Sequence, residues 1–313
     1  MRKLTKVKAK AYSTIANLGP GFDVFGISVN VGYDLVEVEL TDKESKLEIS
    51  GVGARTIPTE FERNTAGLVA KHMLNDFKVK QGVNIHVQKG IKPGSGLGSS
   101  AASAAATAIA LDRLLGLSLS QPELIRYASL GEIASAGAAH ADNVAPAILG
   151  GFTIVRSYTP LDVVKLNPPK NLSFCIATPE VDLPTREARA VLPKEIPLKH
   201  FVHNVGNAAS LVVGMIKGDL DLIGRSMNDI IVEPARASLI PGYSLVKNYA
   251  KEAGAVGVTI SGAGPSMVAV VNPKKVSPKK VAQAMKRGFE EAGVKAEAHV
   301  SKPAAGAKVL EEK

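Results

Sequence analysis

The run KPGSGLGSSAASAAA, Lys92 to Ala106, sets a glycine- and serine-rich loop directly ahead of a strong helix former. Before it, VNIHVQKGI alternates, with Val83, Ile85 and Val87 on one face, and so reads as a strand. After it, Ala101 to Leu115 predict a helix that Gly116 ends and that Ser99 or Ser100 can cap. A strand, a glycine loop and a helix N-terminus in that order confine the chain to a mixed α and β fold and form a cradle for an anion. Glycines let the backbone approach the anion with N–H groups turned inward, and the free amides of the first helical turn add partial positive charge. Alanine keeps that helix stable while its slim side chains permit close packing. No Lys-Ser or Lys-Thr follows Gly98, so the loop is not a P-loop. A dinucleotide fingerprint fails as well, because its last glycine would fall at Ser99. A tight turn with no ligand is the plain alternative. Against it stand the hydroxyls of Ser99 and Ser100, which at a helix start can ligate Mg²⁺ or hydrogen-bond a phosphate.

The rest of the chain narrows the setting. Its 313 residues exceed what one compact domain usually needs, which predicts two domains. With 45% hydrophobic and 21% charged residues, the composition is that of a soluble globular protein. Pro20, Gly21 and Asp23 interrupt any signal-peptide core after the basic start, and no long apolar run follows, so a cytoplasmic, non-membrane protein is expected. Cys175 stands alone in LSFCIAT and reads as a buried, inert thiol. The formal charge of +9 suits nucleic acid or an anionic small substrate equally. Its clusters, the first ten residues and Pro273 to Lys280, lack interleaved aromatics, and aromatics are only 4% of the chain, which argues against a nucleic-acid surface.

Periodicity predicts strands over 3–11 and 35–40, helices over 64–76 and 122–138, and a strand in GGFTIVRS. NPPKN then punctuates the chain. Beyond it come strand LSFCIAT, helices over 199–217, 219–231 and 243–253, strands VGVTI and SMVAVV, a helix over 278–292 and strand VKAEAHV. The expected division is an N-terminal domain over 1–168 that carries the glycine loop, a C-terminal α/β domain over 169–301 and a flexible tail over 302–313.

Two further glycine turns join the first. ANLGPGFDVFG, Ala16 to Gly26, couples a rigid turn to Asn17 and Asp23, and VTISGAGPSMVAV, Val258 to Val270, sets a turn between apolar strands. Together the three segments resemble the motifs of the GHMP small-molecule kinases, over roughly Val7 to Val300. Likeness is strongest to the homoserine-phosphorylating branch: ANLGPGFD, PGSGLGSSAAS, HADNVAP, TREAR, EPAR and TISGAGPS. That resemblance implies a two-domain α+β kinase, transfer of the ATP γ-phosphoryl group to the hydroxyl of L-homoserine, and Mg²⁺ as cofactor. It implies that Pro93, Gly94, Ser95, Gly96, Leu97, Gly98, Ser99 and Ser100 wrap the triphosphate, with Gly262 and Gly264 beside them. Ser100 and Glu132 would hold Mg²⁺, a pairing that spacing does not show, since Glu132 also reads as a solvated helix residue. Asn64 and Thr65 would lie at the adenine, although an ordinary helix cap explains them as well.

An amino-acid acceptor needs a carboxylate for its ammonium and guanidinium groups for its carboxylate. By resemblance Asp23 meets the ammonium, Arg189 and Arg236 clamp the carboxylate, and Asn17 and His140 complete the contacts; Arg189 is preferred to Arg186. His140 outside its HADN setting would read as a surface or capping residue. Several relatives use an aspartate base with a lysine beside it, where this chain holds Asn143 and Thr14. Neither is an efficient base at neutral pH, so Asn143 is expected to orient a hydroxyl that loses its proton late. A homodimer is compatible with the family. Two rival readings stay open: a related kinase for another small alcohol of the shikimate or mevalonate type, and a non-catalytic nucleotide- or RNA-binding relative.

Overall fold

The computed structural model describes residues 4–313. Two long antiparallel strands, β1 (Lys6–Asn17) and β2 (Gly21–Thr41), begin it, and their alternation sends Val7, Ala9, Ala11, Val36 and Val38 into the core. Next come β3 (Lys46–Gly51), α1 (Thr65–Asp76) and β4 (Gly82–Lys89), with β3 parallel to β4. Helices α2 (Ser99–Leu115), α3 (Gln121–Gly131), α4 (Ile133–Ala136) and α5 (Val144–Leu149) precede β5 (Phe152–Tyr158) and β6 (Leu161–Leu166). The second part contains β7 (Phe174–Pro179), α6 (Thr185–Ala190), α7 (Leu198–Lys217), α8 (Leu220–Ser226) and α9 (Val232–Ala237). It continues through α10 (Tyr243–Glu252), β8 (Gly257–Ile260), β9 (Met267–Val270), α11 (Pro278–Glu291), β10 (Ala296–Ser301) and β11 (Lys308–Glu312).

One sheet runs β11-β1-β2-β4-β3, with β5 and β6 added beside the first half of β2; the other runs β10-β7-β9-β8. NPPKN lies between β6 and β7, where the chain passes from one sheet to the other. The alanines of α2 are buried against β1 and β2, so the slim face of that helix brings its N-terminus close to the sheet. Alternation along β7 divides its side chains between two apolar clusters. Phe174 and Ile176 join the core of the first sheet, whereas Cys175 and Ala177 pack with Val281, Met285 and Phe289 of α11. Cys175 is fully buried, and burial pushes its thiol up to about 12, as expected of an inert core residue.

Several expectations are corrected. Residues 302–313 are not a frayed tail: β11 pairs with the edge of β1, from Val7 opposite Glu312 to Lys10 opposite Lys308. Arg113 adds a two-pronged pair to Glu312 at 2.8 and 2.9 Å, and the amide of Ala307 donates to the carbonyl of Ala147. The helix expected over 219–231 stops at Ser226, because the Asp229 carboxylate accepts the amides of Ile231, Val232 and Glu233 and starts α9 instead. That expected over 122–138 is broken at Glu132 into α3 and α4. Neither Ser99 nor Ser100 caps α2; its cap is Gly98 in the left-handed region.

Candidate active site

The glycine loop folds as an open nest. Gly94, Gly96 and Gly98 have φ of 67°, 78° and 65°, alternating with residues of negative φ, which turns successive amides toward one side. Among the described residues, no main-chain amide from Gly94 to Ala101 donates a hydrogen bond within the chain. The three motifs hold this shape together. The Thr14 amide donates to the Leu97 carbonyl at 3.0 Å, the Ser261 hydroxyl to the Gly96 carbonyl at 2.7 Å, and the Ser266 amide to the Ser95 carbonyl at 3.2 Å. A Cβ on Gly98 would lie 1.9 Å from the Thr14 hydroxyl, and one on Gly96 would lie 2.6 Å from the carbonyls of Ser261 and Gly264. Both positions therefore need glycine for close approach as well as for φ. Ser95 and Ser99 turn their hydroxyls onto the carbonyls of Lys92 and Ile91, so these serines brace the loop.

Beneath the loop lies a buried network that sequence reasoning missed. Lys89 pairs with Asp34 and donates to the Ser99 carbonyl and the Ser103 hydroxyl, each at 2.8 Å, while Asp34 accepts the amides of Gly90 and Ile91. It ties the end of β4 to the first turn of α2 and so fixes where the nest opens.

At the mouth of α2, the Ser100 hydroxyl donates to Glu132 Oε2 at 3.0 Å, from the break between α3 and α4. Glu132 is 6% exposed and its Oε1 has no partner among the described residues. Burial is the main cause that pushes its carboxyl up to about 7; the Ser100 hydrogen bond and Lys89 oppose it, and the Asp142 charge adds to it. A carboxylate with one oxygen hydroxyl-bound and the other bare fits a divalent cation. No group of three His, Cys, Asp or Glu is gathered among the described residues.

The other end of the cleft is made of side chains. Asp23, in the left-handed region at φ 57°, takes both Nη groups of Arg189 at 2.7 and 3.1 Å. Asn17 holds this turn: its Oδ1 accepts the Asp23 amide at 3.1 Å and its Nδ2 donates to the Gly262 carbonyl at 2.8 Å. Arg236 is 2% exposed and donates to the carbonyls of Ala188 and Gly262 at 2.9 and 3.0 Å. Burial, then the neighbouring Arg189 charge, lowers its guanidinium to about 10. The Phe22 ring lies under both guanidiniums, at 5.2 and 5.3 Å from its centroid. Burial and Arg189 depress the His140 imidazole, and its Nε2 has no partner among the described residues. Between the two ends, Asn143 Oδ1 accepts the Thr14 hydroxyl at 2.7 Å. Asp142, missed beside Asn143, is 5% exposed, and burial first, then the Asp23 charge, pushes its carboxyl up to about 7.

All the candidates face one cleft of about 350 Å³ except Leu97, whose side chain is buried and which meets the site through its backbone. Asn64 does cap α1, accepting the Ala66 amide at 2.9 Å, and with Thr65 also borders the cleft. Arg186 approaches Gly137, and Arg189 is the arginine that pairs with Asp23.

Known proteins resemble this chain. The GHMP kinases N terminal domain matches residues 64–151 and the GHMP kinases C terminal domain matches residues 211–291. A homoserine kinase of Methanococcus maripaludis is 51% identical over 273 residues, 87% of this chain and 89% of that protein. The chain belongs to the GHMP kinase family. A homoserine kinase of Halobacterium salinarum is 44% identical over 96% of this chain and 95% of its own length. Among solved structures of the family, a homoserine kinase from Cytophaga hutchinsonii aligns with a TM-score of 0.91 at 43% identity, covering 99% of each chain. Mevalonate kinase from L. major, crystallised with R-mevalonate, shares the fold at 16% identity with a TM-score of 0.73. The GHMP resemblance inferred from three glycine turns thus holds for fold and family, and the chain is an ATP-dependent kinase.

Proposed function

We propose that the protein transfers the γ-phosphoryl group of MgATP to the side-chain hydroxyl of L-homoserine, giving O-phospho-L-homoserine and ADP. The observation that carries the substrate assignment is the Asp23–Arg189 pair within reach of the anion nest. A carboxylate and a guanidinium that now satisfy each other are matched to the two charges of an α-amino acid. On binding, the substrate ammonium replaces Arg189 at Asp23, and its carboxylate takes Arg189 with Arg236 behind it. This exchange keeps every charge paired, which an acceptor without an α-amino group does not do.

The nest amides from Gly94 to Ala101 bind the polyphosphate, and Gly262 and Gly264 close it from the third motif. Ser100 and Glu132 would hold Mg²⁺, whose part is to neutralise charge on the phosphate oxygens. Asn143, with its Oδ1 engaged by Thr14, has Nδ2 left to donate to the attacking oxygen. An amide donor orients the hydroxyl and does not take its proton, so the proton leaves late, to the transferred phosphoryl group or to water. Asn17 acts on the substrate through Asp23. Asn64 and Thr65 border the nucleotide's base. Among the described residues no helix is long and apolar enough to cross a membrane, and we place the reaction in the cytoplasm.

The deciding experiment is a coupled ADP-release assay with homoserine, shikimate and mevalonate as acceptors. Release with homoserine alone is expected. Preference for another alcohol would assign the site to a different acceptor, and ATP binding without acceptor-dependent ADP release would end the kinase reading.

A further inference from the structure

Phe22 stands at the charged end of the cleft, and nothing in the proposed reaction uses it. Its backbone is built to place it there. The ladder between β1 and β2 jumps from Gly21, opposite Asn17, to Gly26, opposite Ala16, so residues 22–25 form a bulge. In a regular strand Phe22 and Asp23 would point to opposite faces. Asp23 instead adopts φ 57°, a left-handed conformation that an aspartate takes at a cost, and both side chains line the cleft. A half-buried aromatic ring among charges has a chemistry of its own, because the negative face of its π-system attracts cations.

Two cations meet this ring. Arg189 comes from α6 and Arg236 from α9, and both guanidiniums lie within cation–π range, at 5.2 and 5.3 Å from the ring centroid. Left alone they would repel: the Arg189 charge helps to lower the Arg236 guanidinium. Each also keeps donors in reserve. Arg189 gives both Nη groups to Asp23, and its buried Nε has no partner among the described residues. Arg236 gives Nε and Nη1 to carbonyls, which leaves Nη2 for a ligand. When a substrate ammonium takes Asp23, Arg189 loses the carboxylate that anchors it, while the ring stays beside it.

We infer that Phe22 is a positioning residue of the acceptor site: its π face holds the Arg189 and Arg236 guanidiniums together, so that both meet one substrate carboxylate after Asp23 has passed to the ammonium. The inference rests on the homoserine reading of this end of the cleft. An aliphatic side chain of similar bulk fills the same space without the π face, and the two guanidiniums are then free to separate.

Titration calorimetry of L-homoserine into the full-length protein, with Mg²⁺ and a nonhydrolysable ATP analogue present, tests it. Phe22→Leu should weaken homoserine about tenfold, and Phe22→Tyr, which keeps a ring, should stay within about twofold of the parent. Affinity for the ATP analogue should stay within about twofold in both. Mono-, di- and trifluorinated phenylalanines at position 22 keep the shape of the ring and drain its π face stepwise, so homoserine affinity should fall at each step, by about tenfold at the third. This series remains decisive even if Phe22→Leu folds poorly. A loss in Phe22→Leu with none along the fluorinated series would make the ring a mere wall and overturn the inference, as would equal losses for homoserine and the ATP analogue. A parent that binds homoserine without phosphorylating it would overturn the proposed reaction alone; a parent that binds no homoserine would overturn both.

Discussion

The two ends of the cleft recognise charge by different means. The nest from Gly94 to Ala101 consists of main-chain amides without internal partners among the described residues, and Gly96 and Gly98 in it leave no room for a Cβ, so its shape is set by the backbone. The acceptor end is self-satisfied, since Asp23 and Arg189 neutralise each other and Arg236 is committed to two carbonyls. Binding at the first end adds hydrogen bonds to groups that lack them, whereas binding at the second exchanges one set of ion pairs for another. On the proposed reading the first suits any polyphosphate, and discrimination is assigned to the second, where only a ligand carrying both charges replaces what it displaces.

Substitutions that damage one end and spare the other test this division. The largest effect is expected from Glu132→Ala, which removes the buried carboxylate proposed for Mg²⁺. Turnover should fall about 1,000-fold, the scale of losing one strong transition-state stabiliser, while the KM for homoserine changes little. Steady-state kinetics with Mg²⁺ titration checks it, and an unchanged Mg²⁺ dependence would remove Glu132 from the metal site. Next, Arg189→Ala should raise the KM for homoserine about 100-fold, because Asp23 keeps its ammonium site but the substrate carboxylate loses its two-pronged partner. Affinity for ATP should stay within a factor of about two, as titration calorimetry can read. Equal losses for both substrates would break the division. A smaller effect, about tenfold on turnover at saturation, is expected for Asn143→Ala, the group at the junction of the two ends. Unchanged turnover would mean that Asn143 does not orient the hydroxyl.

What the sequence disclosed follows the same division. Glycines that need positive φ are a local signal, so the nest, its strand and its helix are legible from residues 83–116 alone. The Asp34–Lys89 pair beneath it is not, because its partners are brought together only when β2 and β4 align, with Leu35 opposite Gln88. Likewise Ser100 opens α2 while Glu132 lies at the break between α3 and α4, and in the sequence only the family resemblance joins them. Asp142 went unread beside Asn143: a carboxylate in sequence looks solvated until burial is known. β11 reads as a tail because Lys308–Glu312 offers the core only the half-buried Val309, the rest of its hold being backbone pairing and surface ion pairs such as Arg113–Glu312.

The smallest expected effect concerns the unliganded protein. Glu132 and Asp142 both have carboxyls raised to about 7, from ordinary values of 4.5 and 3.8. Between those values and pH 7 the folded state keeps protons that the unfolded chain has released. Since stability rises with pH only where the unfolded state binds more protons, these two groups make stability fall as pH rises through that window. By pH 8 both are charged and buried, and Glu132 alone should cost on the order of 2 kcal/mol relative to pH 5. Thermal melts of the parent and of Glu132→Gln at both pH values measure the difference. The variant should lose part of the decline, and MgATP should restore the parent at pH 8 far more than it restores the variant. If Glu132→Gln melts with the same pH slope as the parent, Glu132 is not charged against its surroundings, and the phosphate end would be as self-satisfied as the acceptor end.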